Sequence, residues 1–523
     1  MRSKILTSEE AVNLIKSGDT LAVQGFVGFS HPEELSVMLE KKFVATGQPS
    51  DLTVIYAAGQ GDGKEKCINR YAQEGMVKRV IGGHYNLAPK IGKLISANKI
   101  EAYNLPQGVI LHLFRAMAGG KPGVITHVGL KTFADPRVEG GKLNSKTTED
   151  IVEVVTFKGK EYLHYQPVKI DVAFIRGTTA DEDGNITMEK ECVLLEAFHI
   201  AQATKRYGGK VIVQVERVAA KGTLHPQQVK VPGALVDAIV IAKPEYHWQT
   251  NEVAYDPSLC GEMRRPMDSL PAMEMSERKV IARRCALELV PDAVINLGIG
   301  VPDGVAVVAN EEGLLEEITL TLESGPMGGV AAAGLNFGCS FNPVAILDHP
   351  NMFDFYDGGG LDIAYLGLAQ ADEDGNINVS KFGNRIAGCG GFVNISQNAK
   401  KVVYCGTLTA GGLEVAVENG QLRIVKEGAG RKFVKKVDQV TFSGVYARET
   451  GQTVLYVTER AVFELTAEGM VLTEIAPGVS LEKDVLAHIE FPIKVSPQLK
   501  QMDKRIFEAE LMGIKPEFQG KTK

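Results

Sequence analysis

Short apolar runs alternate with amphipathic stretches along the whole chain. The runs at 52–57, Lys210–Val215, 236–242, 293–297, 318–322 and Lys401–Cys405 read as strands. They are apolar on both faces, which predicts a mostly parallel sheet flanked by helices on either side. The segment 413–425 turns on Asn419-Gly420 and predicts a hairpin. Ser276 reads as the N-cap of a helix over 277–289, and Ser30 as the cap of one over 32–43. In open α/β sheets ligands sit beyond the carboxyl ends of the strands, so strand-to-loop junctions are where chemistry belongs.

An internal repeat organises this pattern. Ala180-Asp181-Glu182-Asp183-Gly184-Asn185-Ile186 recurs as Ala371-Asp372-Glu373-Asp374-Gly375-Asn376-Ile377, and Asp171 to Ile175 resembles Asp362 to Leu366. Three further pairings follow in order. Ser17 to Gly25 pairs with Val290 to Gly298, Val215-Glu216-Arg217 with Thr458-Glu459-Arg460, and Val231-Pro232-Gly233 with Ala476-Pro477-Gly478. The reading is two fused homologous α/β domains, 1–244 and 276–523. They are joined by a proline-rich linker at 245–275 that holds Pro257, Pro266 and Pro271.

Composition narrows the function. At 523 residues the chain is too long for one ordinary core. Its 44% hydrophobic and 23% charged residues exclude a disordered or fibrous protein. A net charge of −7 with scattered Lys and Arg argues against nucleic acid as a partner. No apolar run reaches membrane length, and residues 1–10 lack a signal-peptide core. Seven widely spaced cysteines with no C-x-x-C pair suggest reduced thiols in a cytoplasm and no zinc site. The ten histidines show no metal-binding pattern.

Four junctions could carry chemistry. Gly25-Phe26-Val27-Gly28 precedes a helix, where free N–H groups would favour an anion; a tight turn without ligand accounts for it equally well. The strand at 318–322 ends at Glu323-Ser324-Gly325-Pro326, where a carboxylate is followed by small residues. In the repeat, Ala57 stands opposite Glu323. A folding role would be kept in both halves, whereas a nucleophile appears once. Tyr103-Asn104-Leu105-Pro106-Gln107-Gly108 could aim the Gln107 amide at an oxyanion, or merely brace a loop. The glycine-dense segments Asp357-Gly358-Gly359-Gly360 and Gly388-Cys389-Gly390-Gly391-Phe392 let a ligand approach the main chain, or are simply tight turns. Cys389 has no histidine at a spacing that would make it a nucleophile.

Taken together these segments resemble a family I CoA-transferase of the 3-oxoacid CoA-transferase family, on its propionate and acetate branch. Thr132-Phe133-Ala134-Asp135-Pro136-Arg137, Gly140-Gly141-Lys142-Leu143-Asn144 and Phe353-Asp354-Phe355-Tyr356-Asp357 belong to the same resemblance, which covers essentially the whole chain. It implies two related α/β domains with the active site at their interface. It implies that Glu323 is the catalytic nucleophile and Gln107 an oxyanion donor, with Gly388, Gly390 and Gly391 lining coenzyme A. Ser324 stands where the oxoacid branch has Asn, which points away from 3-oxoacid substrates. Acyl-CoA and short-chain carboxylates are the implied partners, coenzyme A being a substrate with no prosthetic group or metal. Relatives are homo-oligomers, often tetramers.

Three rivals remain at this stage. One is an acyl-CoA hydrolase using the same glutamate. Another is a sugar-phosphate isomerase or ligand sensor on a related fold, although residues 25–31 and 298–304 offer no Lys or Arg for a phosphate. The third is a non-catalytic assembly subunit, against which Glu323, Gln107 and the glycine loops together argue.

Overall fold

A computed structural model describes residues 3–266 and 272–523. Residues 267–271 of the expected linker, Pro271 among them, lie outside the described residues. The chain forms two compact units. The first takes in the chain up to Arg265 together with Leu322–Asp354 and Gly383–Asn394; the second holds Pro266–Thr321, Phe355–Phe382 and Ile395–Lys523.

The first unit is built on a seven-stranded parallel sheet in the order Ala238–Ile241, Lys210–Val215, Val172–Arg176, Thr20–Val23, Leu52–Tyr56, Val77–Gly82, Glu101–Asn104. Every residue of Leu52–Tyr56 and Val172–Arg176 is buried, as expected of strands covered on both faces, with Arg176 paired to the buried Glu191. Leu35 and Leu39 of helix Glu33–Thr46 and Ile91 and Ile95 of helix Pro89–Ser96 complete this core. The second unit has its own parallel ladder of Thr319–Thr321, Val294–Leu297, Ile363–Gly367, Lys401–Cys405 and Thr453–Val457. It continues antiparallel through Ala461–Thr466 and Gly469–Ile475.

Local signals decide the structure where a single residue controls the backbone. Strands Glu414–Glu418 and Gln421–Lys426 form the expected hairpin. Asn419 and Gly420 take φ of 54° and 72°, the paired positive values of a type I′ turn. Ser276 accepts a hydrogen bond from the Lys279 N–H and caps helix Glu277–Ala286. That helix stops short of 289 because its last turn tightens, with Glu288 and Leu289 donating to the carbonyls three residues back. Ser30 is a correction. It does not cap helix Glu33–Thr46, whose N-cap is Pro32 with no side-chain hydrogen bond, and its hydroxyl bonds Glu191 and the Val193 carbonyl instead.

The repeat is real in hydrogen bonds. In one unit Asp181 accepts from the N–H groups of Asp183 and Asn185, and Asn185 accepts from Gly233 N–H. In the other Asp372 accepts from Asp374 and Asn376, and Asn376 from Gly444 N–H. Gly233 therefore corresponds to Gly444, and the pairing with Gly478 was wrong. The pairing of Arg217 with Arg460 also fails, because Arg217 follows strand Lys210–Val215 while Arg460 follows Thr453–Val457, the fifth strand of the other ladder. The first pairing shifts by one residue. Asp171 accepts from Thr20 N–H and Asp362 from Val294 N–H, so Thr20 matches Val294. Thr53 N–H donates to Asp19 and Thr319 N–H to Ala293, which keeps Ala57 opposite Glu323.

Candidate active site

Glu323, Gln107 and Gly391 come together within the first unit. Glu323 sits at the corner of a tight turn closed by Gly325 N–H on the Leu322 carbonyl at 3.0 Å. Gly325 has φ 128°, and any side chain there would strike the Leu347 carbonyl, with a Cβ only 2.2 Å away. Ser324 is buried and its hydroxyl donates to the Gly338 carbonyl, which fixes the far side of the turn.

Gln107 is the first residue of helix Gln107–Ala118, directly after strand Glu101–Asn104. Its N–H donates to the Gly390 carbonyl at 3.0 Å. The next N–H, from Gly108, donates to Asn394 Oδ1 at 3.1 Å, and a Cβ on Gly108 would lie 2.4 Å from the Asn394 amide. Asn104 locks the glycine loop to the strand ends. Its amide donates to the carbonyls of Gly82 and Gly83, while its oxygen accepts from Cys389 N–H at 3.0 Å. The segment 132–144 braces the same strand from outside, with Asn104 N–H on Gly141 O and Leu143 N–H on Ala102 O.

The three glycines of the second loop behave differently. Gly391 meets Glu323: its N–H donates to the carboxylate, and a Cβ on it would lie 2.0 Å from Oε2. Gly390 spends its N–H on the Gly83 carbonyl at 2.7 Å. Gly388, with φ 83°, packs so close to His84 that a Cβ would be 2.7 Å from its Cα. Cys389 is buried, its thiol faces the carbonyls of Gly83 and Leu105, and burial pushes its pKa far above the usual thiol range. It is therefore a thiol, as expected, and no nucleophile.

Glu323 retains some accessible surface as a residue, but protein surrounds its carboxylate. That desolvation raises its pKa from 4.5 to about 7, against the lowering pull of hydrogen bonds from Gln107 and Gly391 N–H. A strand-end carboxylate is ordinarily solvated, so this burial separates Glu323 from a surface residue.

Sequence reasoning missed His349 and Glu196. Both are fully buried, with His349 Nε2 2.9 Å from Gln107 Nε2 and His349 Nδ1 2.8 Å from Glu196 Oε2. No spacing marks them, because 153 residues separate the pair. At the first glycine loop the tight-turn alternative fits: the N–H groups of Phe26 and Val27 are taken by the carbonyls of Phe29 and Gly59. Among the described residues one trio could suit a metal, His31, Glu33 and Cys67, whose donor atoms lie within 4.8 Å of one another. Each is already engaged: His31 by Gln60 and Ser36, Glu33 by Arg70, and the Cys67 thiol by the Val27 carbonyl. Among the described residues no helix is long and apolar enough to cross a membrane.

Known proteins resemble this chain over nearly its whole length. The family described as coenzyme A transferase matches residues 5–242. The caffeate CoA-transferase of Acetobacterium woodii is 48% identical over 98% of this chain and 99% of its own. The acetate CoA-transferase YdiF of Escherichia coli K12 is 44% identical over 98% of this chain and 97% of its own. The crystal structure of the acyl-CoA transferase YdiF from E. coli O157:H7, a thioester complex with CoA, superposes with a TM-score of 0.92 at 43% identity, covering 98% and 97% of the two chains.

Proposed function

Because this chain belongs to the coenzyme A transferase family, we propose that it moves coenzyme A between short-chain acyl groups of the propionate and acetate type, with Glu323 as nucleophile. The observation that carries this reading is a buried carboxylate with a pKa near 7 that two N–H donors address at once. A carboxylate of ordinary pKa is a weak nucleophile. Burial makes Glu323 more basic, and it stays substantially ionised at neutral pH.

Glu323 attacks the acyl-CoA carbonyl, expelling the CoA thiolate and forming an acyl-glutamyl anhydride. The thiolate then attacks the glutamyl carbonyl. The first carboxylate leaves and a glutamyl-CoA thioester remains. An incoming carboxylate reverses both steps. When the thiolate adds, negative charge develops on a glutamyl oxygen, part of the carboxylate that Gln107 and Gly391 already address. Coenzyme A enters and leaves as a substrate, and the conserved thioester energy calls for no prosthetic group. Gly388 and Gly390 shape the loop along which we place the CoA tail. We further read the chain as two fused halves, 1–244 and 276–523, joined by 245–275, and the protein as a cytoplasmic homo-oligomer, a tetramer first.

The test is stoichiometry. Enzyme given propionyl-CoA alone should release one propionate per site and stop. Release only when a second carboxylate is present would contradict a covalent CoA intermediate. Continuous release would instead mean hydrolysis.

A further inference from the structure

The scheme above leaves His349 and Glu196 idle, yet they are joined to it by hydrogen bonds. His349 opens helix His349–Asp357, and its N–H donates to the Leu195 carbonyl. Its ring packs between Phe26 and Phe353, with centroids 5.9 and 5.6 Å away, which sets its plane and shields it from water.

The direction of the chain follows from which atoms hold protons. Gln107 Nε2 and His349 Nε2 face each other at 2.9 Å. A carboxamide nitrogen cannot accept a hydrogen bond, so the imidazole nitrogen must. The imidazole proton then sits on Nδ1, where it points at Glu196 Oε2 at 2.8 Å. The amide nitrogen of Gln107 has a second proton for Glu323. Turned over by half a rotation, the amide would present its oxygen to both the His349 lone pair and the Glu323 carboxylate. Both contacts would then repel. A neutral imidazole with its proton on Nδ1 thus holds the amide nitrogen inward.

Glu196 bears a cost that stability alone does not explain. The residue is fully buried, and among the described residues its Oε1 has no partner. A buried carboxylate satisfied on one oxygen is expensive. Its place at the start of helix Ala197–Arg206 offsets part of that through the helix dipole. What the carboxylate secures is the tautomer of His349.

We propose that Glu196 and His349 are positioning residues for CoA transfer, which hold the Gln107 carboxamide with its N–H toward the glutamyl oxygen. This rests on the reading of Gln107 as an oxyanion donor.

The experiment compares His349→Phe, His349→Asn and His349→Gln, each with Gln107 intact and with Gln107→Ala. Rates, KM for propionyl-CoA and melting curves are recorded for all. A Gln side chain places its oxygen near the position of Nε2, whereas Asn places its oxygen near Nδ1. Gln107→Ala should lower kcat about 100-fold, the usual effect of losing one oxyanion donor. His349→Phe and His349→Asn should each lower kcat about tenfold or more, within that same ceiling, with KM little changed. His349→Gln should recover most of the loss. None of the three should cost anything further once Gln107 is Ala. The proposal is overturned if His349→Asn keeps wild-type kcat. It is also overturned if the histidine variants cost as much without Gln107 as with it, because they then act through something else. Should His349→Phe fail to fold, the contrast between Asn and Gln decides alone. Failure of the underlying reading looks different: Gln107→Ala itself would leave kcat unchanged.

Discussion

The α-carbon of Gly391 lies against the Glu323 carboxylate so closely that a methyl group on it would be 2.0 Å from Oε2. No real Cβ contact is that short, so either the loop or the carboxylate must move. Gly391→Ala is therefore predicted to cut kcat by about 100- to 1,000-fold, the range for loss of one oxyanion donor, while the protein stays folded. Steady-state rates with melting curves check this. An alanine variant with near wild-type rates would mean that the donor geometry is not needed.

Activity should follow the ionisation of Glu323. Its pKa is about 7, raised by burial and held down in part by the Gln107 hydrogen bond. The nucleophile is the carboxylate, so kcat/KM for the acyl-CoA should rise with pH through about 7 and then level. Removing the Gln107 bond removes a lowering influence, so the limb should move to higher pH in Gln107→Ala. A limb that stays in place would show that the two side chains are uncoupled in solution.

The same group predicts a pH-dependent stability change. A carboxylate whose folded pKa is raised favours folding only while protonated. Below about pH 4.5 it costs nothing, and as pH rises towards 7 and beyond, the fold pays for a buried charge. One unit corresponds to about 1.4 kcal/mol, and partial exposure lowers the yield, so about 1–3 kcal/mol is at stake. Glu323→Gln should thus match the wild type in Tm near pH 4.5 and exceed it at pH 8. A Tm difference independent of pH would contradict the burial described.

Cys389 lies within the glycine loop yet should be dispensable. Its thiol is buried and its pKa pushed up, so no thiolate is available. Cys389→Ser should retain activity within about threefold, since the serine hydroxyl can face the same two carbonyls. Brief treatment with iodoacetamide at pH 7.5 should not inactivate the native protein. Rapid inactivation, with the adduct on Cys389, would reverse this assignment.

The sequence was legible where one residue controls its own backbone. Asn419-Gly420 announced a hairpin, Ser276 a helix start, and the apolar runs their strands. Glu323 was visible because the repeat offers Ala57 in its place. Gln107 and the glycine loop were weak signals by themselves, since a bracing amide and tight turns explain them too, and the family pattern raised them above those alternatives. What escaped were relationships made by folding. Ser30 looked like a cap but is drawn 161 residues away to Glu191. His349 and Glu196 carry no motif, and only the folding of 322–354 and the chain up to Arg265 into one unit brings His349 to both Gln107 and Glu196. Insertions of unequal length in the two halves hide the correspondence of Gly233 with Gly444, which only their equivalent hydrogen bonds to Asn185 and Asn376 reveal.

The central claim is a covalent CoA adduct on Glu323, and chemical trapping tests it most directly. The protein would be incubated with propionyl-CoA, reduced with borohydride and mapped by peptide mass. A glutamyl thioester is reduced to an alcohol, which leaves the residue about 14 Da lighter and marks the acyl-transfer nucleophile permanently. The account predicts that mark on Glu323 in wild-type protein, dependent on the thioester and absent in Glu323→Gln. Consumption of propionyl-CoA with an unmarked Glu323, or a mark on another residue, would contradict it.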